Sequence, residues 1–107
     1  MESIIQTDRD RCFLCGRRAS GDPLDKHHVF FGPCRKKSEQ YGLTVYIHHS
    51  SCHIFGKNAV HNNAEICRGL QSEVQEIAMS HYGWSIDDFI KLFGRNYLNE
   101  REGSHEV

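Results

Sequence analysis

The sequence predicts a small α+β domain: two short strands and a short helix, clasped by a metal ion and followed by two packing helices. Three observations carry this expectation. Two β-prone runs, Lys26–Phe31 and Leu43–Ile47, precede two helix-like stretches in the C-terminal half. Two ligand pairs of equal spacing, Cys12-x-x-Cys15 and His49-x-x-Cys52, bracket those strands. A chain of 107 residues with 38% hydrophobic content has a thin core, which a metal staple would reinforce.

Each element has a local reason. Lys26–Phe31 is closed by Gly32-Pro33, and Arg35–Gln40 reads as a polar, basic connection. Leu43–Ile47 is β-branched and aromatic, and Ser50–Phe55 is expected as a short helix ended by Gly56. Asn62 followed by Glu65 marks a helix start, with Ile66, Leu70, Val74, Ile77 and His81 as its inner face and Gly83 as its stop. Ser85 with Asp88 starts the last helix, whose inward residues are Ile86, Phe89, Ile90 and Phe93, and Gly94 ends it. Residues 101–107 are expected to fray. The whole chain, 1–107, is one domain, with a stapled core over about 10–63 and a helical tail over about 63–98.

Composition removes several classes. No apolar run approaches the roughly 18 residues of a membrane span. The acidic N-terminus lacks the apolar segment and cleavage site of a secretory signal. Five cysteines, an odd number, argue for thiolates serving metals in a reducing, cytoplasmic setting rather than for a disulfide framework. The formal net charge is −1, but residues 9–57 hold nine Lys or Arg against four Asp or Glu, and residues 58–107 hold four against eight. A basic half beside the histidines suits a polyanion, although a solvated mixed surface has the same charges.

The two pairs together make a Cys3His site, Cys12, Cys15, His49 and Cys52, which suits a structural zinc ion. The alternative is two ordinary buried thiols and a surface histidine. His48 competes geometrically with His49 but breaks the x-x spacing. Cys34 and Cys67 have no partner at ligand spacing and read as unligated. His27-His28 at the end of the first strand and His53, right after Cys52, form a second group. Adjacent strand residues point to opposite sides, so one histidine of the doublet can hold a metal while the other takes a proton from water.

With these residues in view, the chain resembles the HNH endonucleases of the ββα-metal type, in particular small zinc-stapled forms from phages and prophages. The matching elements are Cys12-x-x-Cys15, Lys26-His27-His28-Val29-Phe30, Leu43–Ile47, His49-Ser-Ser-Cys52-His53 and Gly56-Lys-Asn-Ala-Val-His61, with a further likeness over Phe93–Tyr97. The resemblance implies that His28 is the general base and that His27 and His53 hold a catalytic divalent ion, Mg²⁺ or another such as Mn²⁺. Cleavage would leave a 5′-phosphate and a 3′-hydroxyl. Two positions depart from the family pattern. Thr44 stands where the family has an asparagine that orients the base. Lys57 stands where a further histidine is common, which leaves His61 as either third ligand or a residue touching DNA or solvent.

The expected partner is double-stranded DNA, bound with little sequence preference through Arg17, Arg18, Arg35, Lys36, Lys37 and Lys57 on loops. By analogy, the setting is a bacterial cytoplasm with a phage or host recombination or packaging partner. Phe31 and Tyr41 are expected in the core. The competing expectation is a catalytically silent, zinc-stapled DNA-binding or adaptor module, which Thr44 favours. A zinc-sensing regulator is a third.

Overall fold

In the computed structural model, residues 2–19, 21–54, 56–57 and 59–98 are described. Strand β1 (Leu24–His28) leads through a 3₁₀ turn (Gly32–Cys34) into helix α1 (Arg35–Tyr41) and then strand β2 (Thr44–His48). One wide helical turn (His49–Ile54) follows, and then helices α2 (Ala64–Tyr82) and α3 (Ile86–Phe93). No helix among the described residues is long and apolar enough to cross a membrane. The expected order of strands and helices is present, with one addition. Phe55, the expected end of the short helix, and residues 101–107 lie outside the described residues.

The addition is α1. Its sequence, Arg-Lys-Lys-Ser-Glu-Gln-Tyr, has no apolar period and no side-chain cap, so nothing in it announces a helix. Two contacts hold it in place. Ser38, fully buried, donates to the Phe30 carbonyl at 2.6 Å and accepts from the Phe30 amide at 3.0 Å. Gly42, at φ +72°, ends the helix in the left-handed region, and a side chain there would strike the Glu2 carbonyl. The helix therefore folds back beside the strand it follows. Arg35, Lys36 and Lys37 accordingly sit on a helix, not on the loop expected for them.

The strands pair antiparallel, with Leu24 opposite His48, His27 opposite Val45 and His28 opposite Thr44. Both lie slightly off the expected bounds, β1 by starting and ending earlier and β2 by running on to His48. The alternation puts Asp25 and His27 on one face of β1 and Lys26 and His28 on the other. The N-terminal segment closes over the hairpin: the Ile4 amide donates to the Gly42 carbonyl, and the Tyr46 amide donates to Gln6 Oε1.

The helical tail completes the core. Phe30 packs against Phe89, Phe93 and Tyr97 with ring centroids 4.8–5.3 Å apart. The inner face of α2 is Leu70, Val74 and Ala78 with the buried amides Gln71 and Gln75, and His81 is exposed. It is rotated from the expected stripe because Gln71 and Gln75 are needed as partners: Gln71 donates to the Val29 carbonyl, and Gln75 bonds Asn96 and the Tyr97 amide. The cap of α2 is Asn63, one residue beyond the expected Asn62, and Ser85 with Asp88 forms the expected capping box of α3. Ile86 is 41% exposed rather than inward.

Ser38→Ala strands the Phe30 amide and carbonyl in the core. It should lower unfolding free energy by about 1–3 kcal/mol, read as a shift in the urea midpoint with an unchanged slope.

Candidate metal centres

The first centre grows from a tight turn. The Gly16 amide donates to the Cys12 carbonyl, the Cys12 amide to the Arg17 carbonyl and the Cys15 amide to Cys12 Sγ, so the two thiols point the same way. Gly16 turns this knuckle at φ +77°. The Phe13 amide donates to the Tyr46 carbonyl at 2.8 Å, laying the knuckle along β2. Opposite it, Asp22 caps the helical turn His49–Ile54, accepting from the Ser50 and Ser51 amides and the Ser51 hydroxyl. Those bonds hold the Asp22 carboxyl down to about 2.

The residue that meets the cysteines is His48, not the expected His49. Ligand atoms of Cys12, Cys15, His48 and Cys52 all lie within 4.8 Å of one another, so the group could hold a metal ion. His48 Nδ1 is 3.3 Å from Cys15 Sγ and 3.9 Å from Cys52 Sγ. A tetrahedral zinc with Cys and His ligands sets such atoms roughly 3.5–3.8 Å apart. His48 Nε2–H donates to the Arg18 carbonyl at 3.1 Å, which leaves the Nδ1 lone pair facing the thiols. Burial opposes ionisation of Cys15, but the Arg17 amide and guanidinium, then Cys12 and Cys52, bring it down to about 6. Burial and Cys12 push Cys52 up to about 12.

His49 is drawn away by a carboxylate. Its Nδ1 lies 2.6 Å from Asp25 Oδ2, and His53 Nδ1 lies 2.9 Å from the same oxygen. Burial raises the Asp25 carboxyl, yet the bonds from His53 and His49 leave it below its ordinary value. As an ionised acceptor it takes the Nδ1–H of His53, which turns the His53 Nε2 lone pair outward.

That lone pair faces a second group. Ligand nitrogens of His27, His53 and His61 also lie within 4.8 Å of one another, and His53 Nε2 is 3.1 Å from His61 Nε2. Octahedral ligands about 2.1 Å from an ion are roughly 3.0 Å apart, so the separation fits. His27 is 3% exposed, and its Nε2 has no hydrogen-bond partner. Burial first, then His53, His61 and His28, pushes His27 down to about 3, so it stands neutral with its lone pair available. His61 reaches the group because the Val60 and His61 amides donate to the Cys52 and His53 carbonyls. Gly56 permits that return, since any side chain there would collide with the Ser51 carbonyl.

His28 stands apart from this group. On the other face of β1, its Nε2 is 2.8 Å from Glu39 Oε1, and Arg35 Nε donates toward its Nδ1 at 3.4 Å. Thr44, across the hairpin, has a fully buried hydroxyl with no partner, so it does not orient His28. Arg17 and Lys57 border a cleft beside Cys15 and Cys52, and Arg18 is exposed next to the knuckle. Phe31, expected in the core, is 42% exposed, with its ring 5.4 Å from that of His61, and Tyr41 is half-buried against Trp84.

Sequence reasoning weighed His48 but set it aside for its spacing, and it missed Asp25 and Glu39. Asp25 was within reach, because Asp25-x-His27 places both residues on one strand face. Comparisons with protein-family models, with curated proteins and with solved structures give no match to this chain.

The two histidines separate experimentally. His48→Ala should abolish the thiolate-to-metal absorption of the cobalt(II)-loaded protein and expose a chain that melts at lower temperature. His49→Ala should keep that absorption.

Proposed function

We propose that this domain is a metal-dependent DNA endonuclease or nickase, stapled by zinc at Cys12, Cys15, His48 and Cys52. The observation that carries the reading is the group His27, His53 and His61: ring nitrogens of three imidazoles converge, and Asp25 fixes one of the rings from behind. Three ligands with remaining positions open to solvent and substrate are the pattern of a catalytic rather than a structural site. A divalent ion held there supplies a Lewis acid for a phosphate oxygen and for the charge on the leaving 3′ oxygen. An all-imidazole set suits Zn²⁺ or Ni²⁺ better than Mg²⁺, which prefers oxygen ligands.

The chain's own residues do the rest. His28 borders the same end of β1 as His27, close enough to disfavour its protonation. It takes the proton of the attacking water, a task suited to imidazole near neutral pH. Arg35 on α1, whose Nε reaches His28, and the neighbouring Lys36 and Lys37 would hold flanking phosphates, with Arg17, Arg18 and Lys57 around the knuckle. Such contacts position a duplex without reading its sequence.

A second reading has one observation in its favour. His28 is engaged by Glu39 and Arg35, and Thr44 offers it nothing, as in a module that keeps the fold and binds DNA without cutting it.

Nicking of supercoiled plasmid with Mn²⁺, Ni²⁺ or Mg²⁺ separates the two. The nuclease reading expects nicking that falls about 10²–10⁴-fold in His28→Ala and is lost with metal binding in His53→Ala. Wild-type rates in His28→Ala, or duplex binding with no nicking in any metal, would overturn it. Neutralising Arg35, Lys36 and Lys37 together should lower the slope of log affinity against log salt by up to about 2.7, similarly for unrelated sequences.

A further inference from the structure

We propose that Glu39 is the positioning residue for His28, holding its imidazole as the Nε2–H tautomer and so leaving Nδ1 as its basic nitrogen. The inference rests on the nuclease reading for its consequence, but not for its geometry. Glu39 Oε1 lies 2.8 Å from His28 Nε2, and Lys26 Nζ at 3.0 Å from the same carboxylate holds that group beside the ring. A carboxylate accepts only, so the proton of neutral His28 sits on Nε2. Arg35 Nε donates toward Nδ1, which therefore carries the lone pair. The cross-strand neighbour cannot do this, because the Thr44 hydroxyl is buried and has no partner. The orienting group thus comes from α1, inserted between the two strands, and reaches back to the strand that precedes it.

The same dyad logic holds a histidine elsewhere: a carboxylate on one ring nitrogen fixes which nitrogen remains basic. His53 is fixed by Asp25 in this way for ligation, and His28 by Glu39 for proton transfer. Two carboxylates on opposite faces of one hairpin divide the two tasks.

Long-range ¹H–¹⁵N spectra at about pH 8, above the ordinary imidazole range, read the tautomer without any turnover. Wild type should show His28 protonated on Nε2. Glu39→Ala should show a mixture and lower kcat for plasmid nicking about 10- to 100-fold with little change in KM. Glu39→Gln, which keeps an acceptor oxygen, should restore the tautomer and most of the rate. Lys26→Met also breaks the Lys26–Glu39 ion pair and should leave the tautomer as it is. An Nδ1–H tautomer in wild type, or an unchanged tautomer in Glu39→Ala, would overturn the proposal. If wild type does not nick DNA, the nuclease reading falls, while the spectra still decide what Glu39 does.

Discussion

The convergence of Cys12, Cys15, His48 and Cys52 is the constraint on which the remaining geometry depends. It joins a knuckle near the N-terminus to the last residue of β2 and to the helical turn that follows. That turn carries His53, and its carbonyls draw His61 back alongside. The buried cluster that holds Phe30, Phe89 and Phe93 also contains Cys12, Cys52 and Val60, so the cysteine group is continuous with the apolar core. Metal-stapled domains of this size commonly take much of their folding free energy from the ion. Here the Cys12, Cys15, His48 and Cys52 group adjoins the helical turn that carries His53.

Both centres use the same device of an outer acceptor that chooses the ligating nitrogen. The Arg18 carbonyl takes the proton of His48 Nε2 and frees Nδ1 for the thiols. Asp25 takes the proton of His53 Nδ1 and frees Nε2 for His27 and His61. His27 needs no such partner, because burial already keeps it neutral. The sites are chemically distinct: one gathers three thiol sulfurs with one imidazole, and the other gathers three imidazoles with a single carboxylate behind them.

Much of this was legible in the sequence, where local chemistry repeats a known period. The Cys12-x-x-Cys15 knuckle, the two strands, the glycine stops at Gly83 and Gly94 and the Ser85 capping box all follow from residue type and spacing. His27 and His53 were legible as a second group from their own placement, and His61 joined them only through the family resemblance. His48 was hidden because i,i+3 and i,i+4 spacings both suit a helical turn, and strand burial together with the pull of Asp25 on His49 chose between them. Helix α1 was hidden because seven mostly polar residues carry no period, and its support, Ser38 on Phe30, is a tertiary contact. The α2 stripe was misplaced by one position because buried glutamines outrank apolar neighbours when backbone groups need partners.

The central claim is that two separate ions belong to this domain, one at the cysteines and one at His27, His53 and His61. Anomalous diffraction from crystals of the zinc-loaded protein soaked in Mn²⁺ tests it most directly. The account predicts a zinc peak bonded to Cys12, Cys15, His48 and Cys52, and a manganese peak bonded to the three histidines with solvent on its open side. A single peak at the cysteines, with His53 and His61 still hydrogen-bonded to each other in saturating Mn²⁺, would contradict it.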